Sequence, residues 1–420
     1  MYGITLYGTV DLGVAYQTHG TPLNDYFYPG LEYLVSKNSN KGVFSAAPSG
    51  LSQSKIGLRG DEELIDGLHG IFKVETGFNP TSGQLSDAPK SLTQNNGVAL
   101  ASQTSNADGS RAGQMFNSEA YAGFKQTRYG QLTYGRQNGL LTDNVNKYDP
   151  MGGSYAFSVI GYSGATAGSG DTQDTRLDNS LRYSNAIGPV RFAGQYQFGD
   201  KTGGGGGTAY EFGLGTGYRG LSVDATYVHK KDAIAASSLS ASQVSALPAL
   251  GLSEDNSLAA TVSDNTAYST MLMYDAGRPK FYAGYEYIRF ANPTDPLLPG
   301  ASDIGGYTLS AVNNTAYARN KHLQIIWTGA KYAFTPEFDL TGAWYHYTQN
   351  DYKISGTCSN TSAGQCSGQL NALSLMADYK FTKRFDVYGG AMWSQAVGGL
   401  GSGYLHNNTI DPMVGVRFIF

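Results

Sequence analysis

Charge is scarce in this 420-residue chain: 29 Lys and Arg with 33 Asp and Glu make 15% of it, well under the usual quarter of a soluble domain. A net charge of −4 on so few ionic groups excludes a nucleic-acid binder and a charge-rich disordered chain. Cysteine is nearly missing, with two residues. No stretch approaches 18 consecutive apolar residues, so no transmembrane helix is expected. The charge-free run Ala233 to Ser253 holds six Ser, one Gln and Pro248, and reads as a surface loop. Met1 leads straight into Tyr2-Gly3-Ile4, so an exported protein would be numbered here in its mature form, signal peptide absent, with Met1 as an added start. The glycines keep no three-residue period, which excludes collagen.

What is abundant is Gly (56) and Tyr (31), the latter outnumbering all Lys and Arg. Helical periodicity is hard to find, while alternation with period two is nearly everywhere. Val414, Val416, Phe418 and Phe420 fall on one face against Gly415, Arg417 and Ile419. Phe72, Val74, Thr76 and Phe78 alternate with Lys73, Glu75 and Gly77. Such segments come in pairs about ten residues long, joined by tight turns such as Arg128-Tyr129-Gly130, Arg219-Gly220 and Thr335-Pro336-Glu337. Longer polar stretches separate the pairs: Asn79–Met115, Asp143–Asp174, Asp232–Asp264, Ala291–Arg319 and Asn350–Ser367.

An opening strand, seven hairpins and a closing strand predict 16 strands. Strict alternation of short turns and long loops puts the two ends of the sheet in different environments, as in an outer-membrane barrel with short periplasmic turns and long extracellular loops. A closed sheet satisfies its backbone internally and needs only one apolar face. The fold expected is therefore all-β: one transmembrane antiparallel β-barrel domain over residues 1–420. Tyr218, Tyr227, Tyr268, Tyr274, Tyr332, Tyr379 and Tyr388, near strand ends, suit aromatic girdles at the membrane boundaries.

The segments Thr5-Leu6-Tyr7-Gly8-Thr9-Val10-Asp11, Lys55-Ile56-Gly57-Leu58-Arg59-Gly60-Asp61-Glu62, Gly70–Phe78, Glu119–Phe124, Gln131–Gln137 and Asn179–Ser184, with the terminal Phe420, resemble the Gram-negative general porins of β-proteobacteria. The resemblance runs from the first strand to the last residue. It implies a water-filled outer-membrane channel, assembled as a homotrimer, for passive diffusion of small hydrophilic solutes and ions. Such a barrel would be surrounded by outer-membrane lipid and lipopolysaccharide. Phe420 resembles the signal read by the barrel-assembly machinery, and 79–115 resembles the family's subunit-latching loop.

Porins of this family fold their third long loop into the lumen, here 143–174. Within it Asp149-Pro150-Met151-Gly152-Gly153 resembles the family's loop tip, and Asp143, Asp149, Asp171 and Asp174 would supply negative charge. An opposing basic wall would complete a transverse field across the pore. Strand parity turns Lys55, Arg59, Lys73 and Glu75 inward, opposite Ile56, Leu58, Phe72 and Val74. Leu177, Leu181 and Tyr183 share an outer face, leaving Arg176, Asp178 and Arg182 inside. Ser118 stands where many relatives carry Arg and Thr9 where some carry Lys, so weak ion selectivity is expected. Arg136 shares the outer face with Leu132 and Tyr134, where lipid exposure at midplane would cost about 2–4 kcal/mol. A subunit contact would relieve that cost.

Cys358 and Cys366, eight residues apart in one outer loop, are expected to form a local disulfide. No metal or other cofactor is expected: the six His (19, 69, 229, 322, 346, 406) show no ligand spacing. Neither Gly203–Gly207 nor the strand Gly213–Gly217, read as lipid-facing, precedes a helix, so neither is a phosphate loop. Gly161-Tyr162-Ser163-Gly164-Ala165 misses the nucleophile-elbow spacing, and no Ser, His and acid can be brought to one rim, so an enzyme is not expected. The rival reading is a substrate-specific channel for a sugar or small organic acid, kept open by Tyr7, Tyr148, Tyr155 and Tyr162. An adhesin or phage-receptor role would add to the pore without replacing it.

Overall fold

A computed structural model describes residues 3–20, 22–26, 41–104, 114–160, 176–199, 207–354, 358 and 363–420. Sixteen antiparallel strands close into one barrel. In order they are Ile4–Gln17, a second strand in two pieces (Val43–Pro48 and Lys55–Ile65), Leu68–Gly77, Ala120–Gln126, Gly130–Asn138, Arg176–Ile187, Val190–Gln197 and Ala209–Tyr218. The second half runs Leu221–Ser237, Ser257–Asp275, Pro279–Ala291, Lys321–Ala333, Phe338–Gln349, Gly368–Lys380, Phe385–Gly398 and Asn408–Ile419. Closure comes from the first strand, which pairs with the sixteenth on one side and with both pieces of the second on the other. At the seam the backbones of Gly8 and Phe420 exchange two hydrogen bonds of 3.0 and 3.1 Å.

Parity sorts the wall. Leu6, Ile56, Leu132, Phe212, Leu375 and Val414 are exposed on the outside, while Glu75, Gln195, Thr226 and Asp411 are buried on the inside. Tyr218, Tyr274, Phe281 and Tyr332 edge the outer face near the tight turns, and Tyr227, Tyr268 and Tyr287 form a second belt higher up. Tyr388 does not join a girdle. It points inward, 2% exposed, and donates to Asp11 at 2.6 Å.

Two expectations change. Both ends of the stretch 232–264 are strand: the ninth and tenth strands, 17 and 19 residues long, overshoot the others and leave 238–256 as their connection. Their upper halves alternate small and apolar residues (Ala233, Ala235 and Ile234; Leu258, Ala260 and Val262), enough to extend a sheet without a membrane around it. Helices also exist, though short, at Ala88–Gln94, Leu140–Tyr148 and Ala241–Ala246. The first begins with Asp87 accepting from the Lys90 amide and Pro89 inside its first turn, and the third with a Ser240–Gln243 capping box. These are one or two turns each, too short to register as a period.

Apolar side chains gather in two clusters. One lies inside the barrel, where Leu141, Val145, Tyr148, Met151 and Phe157 of the third long loop meet Met271, Ile325, Trp327, Tyr345 and Met392 of the wall. The other lies above the barrel. There Leu92 packs with Ile234 and Leu258 of the overshooting strands and with Ile304, Tyr307 and Leu309 of a small hairpin, Ala301–Ile304 and Tyr307–Asn313.

Candidate functional site

The third long loop runs along the inside of the wall. Leu141, Val145 and Tyr148 lie three and four residues apart, so one side of the helix Leu140–Tyr148 is apolar and faces the wall. The wall then clips the loop's backbone. Trp327 Nε1 donates to the Tyr148 carbonyl at 3.1 Å and the Tyr347 hydroxyl to that of Val159 at 3.2 Å. Farther round, Ser154 Oγ and the Ala156 amide donate to the Gly50 carbonyl at 2.7 and 3.0 Å. Gly50 lies in the break of the second strand. Asp11 holds that break, accepting from the amides of Gly50, Leu51 and Ser52 at 3.1, 2.9 and 2.9 Å.

Asp149, expected at the constriction, is instead part of this anchoring. It is 2% exposed and accepts from Tyr345 at 2.7 Å and from the amides of Gly153 and Met151 at 2.8 and 3.2 Å. Burial pushes its carboxyl above the usual carboxylate range. The turn it closes needs positive φ at Gly152 and Gly153 (64° and 72°), which glycine adopts without strain. Asp143 stands nearer the lumen, partly exposed and paired with Arg182 at 2.7 Å. Asp171 and Asp174 lie outside the described residues.

Across the lumen the first three strands place Lys55, Arg59 and Lys73 on the inner face. Arg59 faces Thr5 and Lys73 in register. Tyr7 lies over Gly57, where a side chain would collide with its ring. The Arg59 guanidinium and the Lys73 ammonium sit 5.5 and 5.9 Å from that ring's centre. Glu75 belongs to this wall rather than opposing it. It is 2% exposed, 3.1 Å from Lys55 and 3.6 Å from Lys73, and accepts from Tyr7 at 2.9 Å. Glu119, not singled out from the sequence, pairs with Lys73. Three cations face two carboxylates, so the patch carries a small positive surplus.

A second network, also missed, lies beneath the loop helix. Lys147 and Arg191 converge on Asp224 at 2.6 and 3.1 Å, lining a cavity of about 320 Å³ with Asp143 and Arg182. Gly213 and Gly215 open that space: a side chain on Gly215 would strike Asp224. This glycine strand faces the lumen, not lipid, since Phe212 and Leu214 are the exposed residues. The same parity test, not applied to these strands, would have found Arg191 and Asp224, since Val190, Phe192, Val223 and Ala225 are apolar around them.

Parity fails beyond Asn179. That residue has φ 47° and belongs to a bulge: between the pairs Gly135–Ser180 and Gln137–Leu177 the fifth strand has one residue, Arg136, and the sixth has two, Asp178 and Asn179. The extra residue swaps faces. Leu177, expected outside, is 1% exposed and lies opposite Gln137, which bonds to Ser180 within the wall. Arg176 and Asp178 are accordingly turned away from the inner row of Ser180 and Arg182. Arg136 finds its acid within its own chain: Asp178 at 2.6 Å, with Nη2 donating to the Asn117 carbonyl at 3.0 Å.

The second long loop also stays with its own chain. Residues 79–104 leave the third strand and reach the loops of the ninth to twelfth. Asn96 donates to the carbonyls of Glu254 (3.0 Å) and Ser257 (2.7 Å) and accepts from the Leu239 amide (2.8 Å). Tyr307 donates to Asp87 at 2.7 Å. Strands three and four stand six of sixteen positions from strands nine and ten, so the segment crosses the barrel mouth. In its described part the segment 79–115, expected to latch a neighbouring subunit, makes these contacts to loops of its own barrel. Cys358 and Cys366 are bonded, with Cα atoms 5.7 Å apart.

A family model described as Gram-negative porin matches residues 3–398. The chain belongs to that family. This porin is 24% identical over 227 residues to an outer membrane porin protein of Bordetella pertussis, a match covering 54% of this chain and 46% of that protein. The chain thus aligns with about half the length of that curated relative. Among solved structures it is similar to an anion-selective porin from Comamonas acidovorans (TM-score 0.64, 15% identity, all of both chains). It is also similar to OmpT, an outer membrane protein of Vibrio cholerae (TM-score 0.60, 12% identity, 99% and 97% covered). At these identities the likeness is one of fold. Family and barrel together place the porin in the bacterial outer membrane.

Proposed function

We propose that this porin is a water-filled channel for passive diffusion of small hydrophilic solutes and ions, with no catalytic role. A sixteen-strand barrel is too wide for wall side chains to fill. The observation that carries the reading is the placement of residues 140–160. They are held against one side of the inner wall, which leaves Lys55, Arg59 and Lys73 partly exposed to the space opposite. The constriction is asymmetric: a weakly cationic patch faces a loop whose described acids are buried (Asp149) or paired (Asp143). A matching acidic wall is missing among the described residues, so the transverse field is weak. Assembly as a homotrimer follows the neighbours, one of which is described in a trimer form. Phe420, paired at the seam, serves as the assembly signal.

Reversal potentials of single channels in a salt gradient test this. A modest preference is expected, and Lys73→Gln should move it towards cations. A strong anion preference, or liposome swelling that saturates with one solute class, would overturn the reading in favour of a specific channel.

A further inference from the structure

Loops rooted on opposite sides of the ring meet over the outer mouth. From one side come residues 22–26, between the first and second strands, and the segment 79–104, which leaves the third. From the other come residues 238–256, between the ninth and tenth strands, and the hairpin between the eleventh and twelfth. At the usual spacing and tilt of barrel strands, a ring of sixteen is about 32 Å across. Six positions round it, from the third strand to the ninth, span a chord of about 30 Å, so the segment 79–104 passes close to the axis.

A knot of buried asparagines fixes this strap. Asn24 donates through Nδ2 to Gln94 Oε1 and, at 3.1 Å, to Thr104 Oγ1. The Asp87 amide donates to the Tyr26 carbonyl at 2.9 Å. Asn95 closes the strap on itself, accepting from the Thr104 amide at 3.0 Å and donating to its carbonyl at 3.2 Å. Asn24 and Tyr26 thus tie the strap to its near bank, and the bonds of Asn96 to residues 239, 254 and 257 tie it to the far one. A buried amide offers donors and acceptors in a set geometry, so any other seating of the strap leaves some of them unpaired. Residues 79–104 carry one acid, Asp87, and one base, Lys90. The bar across the mouth is therefore fixed and electrically neutral, in contrast to the cationic patch of Lys55, Arg59 and Lys73 in the lumen.

We infer that this strap is a second filter, in series with the lumen loop, which sorts solutes by size and is blind to their charge. The inference rests on the reading of the porin as a diffusion channel and adds to it where size is selected. An opening narrowed by neutral groups restricts solutes by its width, and charge enters only where a field crosses the path. Size selection at the mouth thus belongs to Asn24, Leu92 and Asn96, which set the position of the bar, and ion preference to the patch in the lumen.

Liposome swelling and reversal potentials separate the two filters. Leu92→Ser/Asn96→Ala should free the strap, with protease cleavage within 79–104 as the sign of release. Swelling with a trisaccharide should then speed up several-fold relative to swelling with a pentose. The reversal potential in a salt gradient should stay that of the parent porin, whereas Lys73→Gln moves it. Should the double variant not fold, Asn24→Ala, which cuts the near bank alone, is expected to raise the ratio of swelling rates by a smaller amount. An unchanged ratio with the strap open to protease, or a shift of potential as large as that of Lys73→Gln, would overturn the filter. A parent porin that does not conduct, or whose swelling saturates with one solute class, would instead overturn the diffusion channel, and the filter with it.

Discussion

The loop inside the lumen and the cap above the mouth are built from the same material, polar loops with a few apolar anchors, yet they are held differently. Inside, wall side chains reach out to the loop: Trp327, Tyr345 and Tyr347 grip residues 148, 149 and 159. These donors stand on membrane-spanning strands whose positions the closed ladder fixes. In the cap, one loop side chain, Asn96, reaches three backbone groups of other loops, and Leu92 fills a smaller cluster. The lumen segment is therefore as rigid as the barrel, while the cap can open at the cost of its own contacts alone.

That contrast breaks if its anchors prove equivalent. The largest effect is expected from Trp327→Ala. The residue is 0% exposed, and its removal takes away a large ring and a hydrogen bond, costing about 3–5 kcal/mol. The heat resistance of the folded barrel should fall and single-channel conductance should rise as the loop loosens. Unchanged conductance would show that Trp327 does not hold the constriction. Leu92→Asp should act less globally, opening residues 79–104 to protease while the barrel keeps its unfolding midpoint. A large drop in that midpoint would erase the distinction between cap and core.

The smallest expected effect sharpens the same point through pH. Burial pushes the Asp87 carboxyl up despite the Tyr307 hydroxyl and the Lys90 amide, which favour its charge. The capped state thus holds its proton more tightly than the open loop does. Cap stability should rise as pH falls from above that raised value to the ordinary carboxylate range, and be lost on returning to neutrality. Protease cleavage within 79–104 should slow on acidification, and Asp87→Asn should flatten the dependence.

Parity alone made Lys55, Arg59, Lys73 and Arg182 legible as lumen residues, because Ile56, Leu58, Phe72, Val74, Leu181 and Tyr183 alternate with them and no bulge intervenes. It misplaced Arg176, since the bulge at Asn179 leaves no mark in the hydrophobic pattern. Asp149 was visible as a loop acid, but its burial depends on Tyr345, almost two hundred residues away in the chain. The cap was illegible for the same reason: Asn96, Leu239 and Ser257 meet only because strands three and ten face each other across the ring.

The sequence by itself determined the closed sheet, its strand count, its two-faced wall and its girdles, because these follow from alternation and turn spacing along the chain. Only the tertiary structure decided which charges are free, which acids are anchors and which loop crosses the mouth. Those depend on groups brought together across the barrel, and a local pattern holds no information about distances through the lumen.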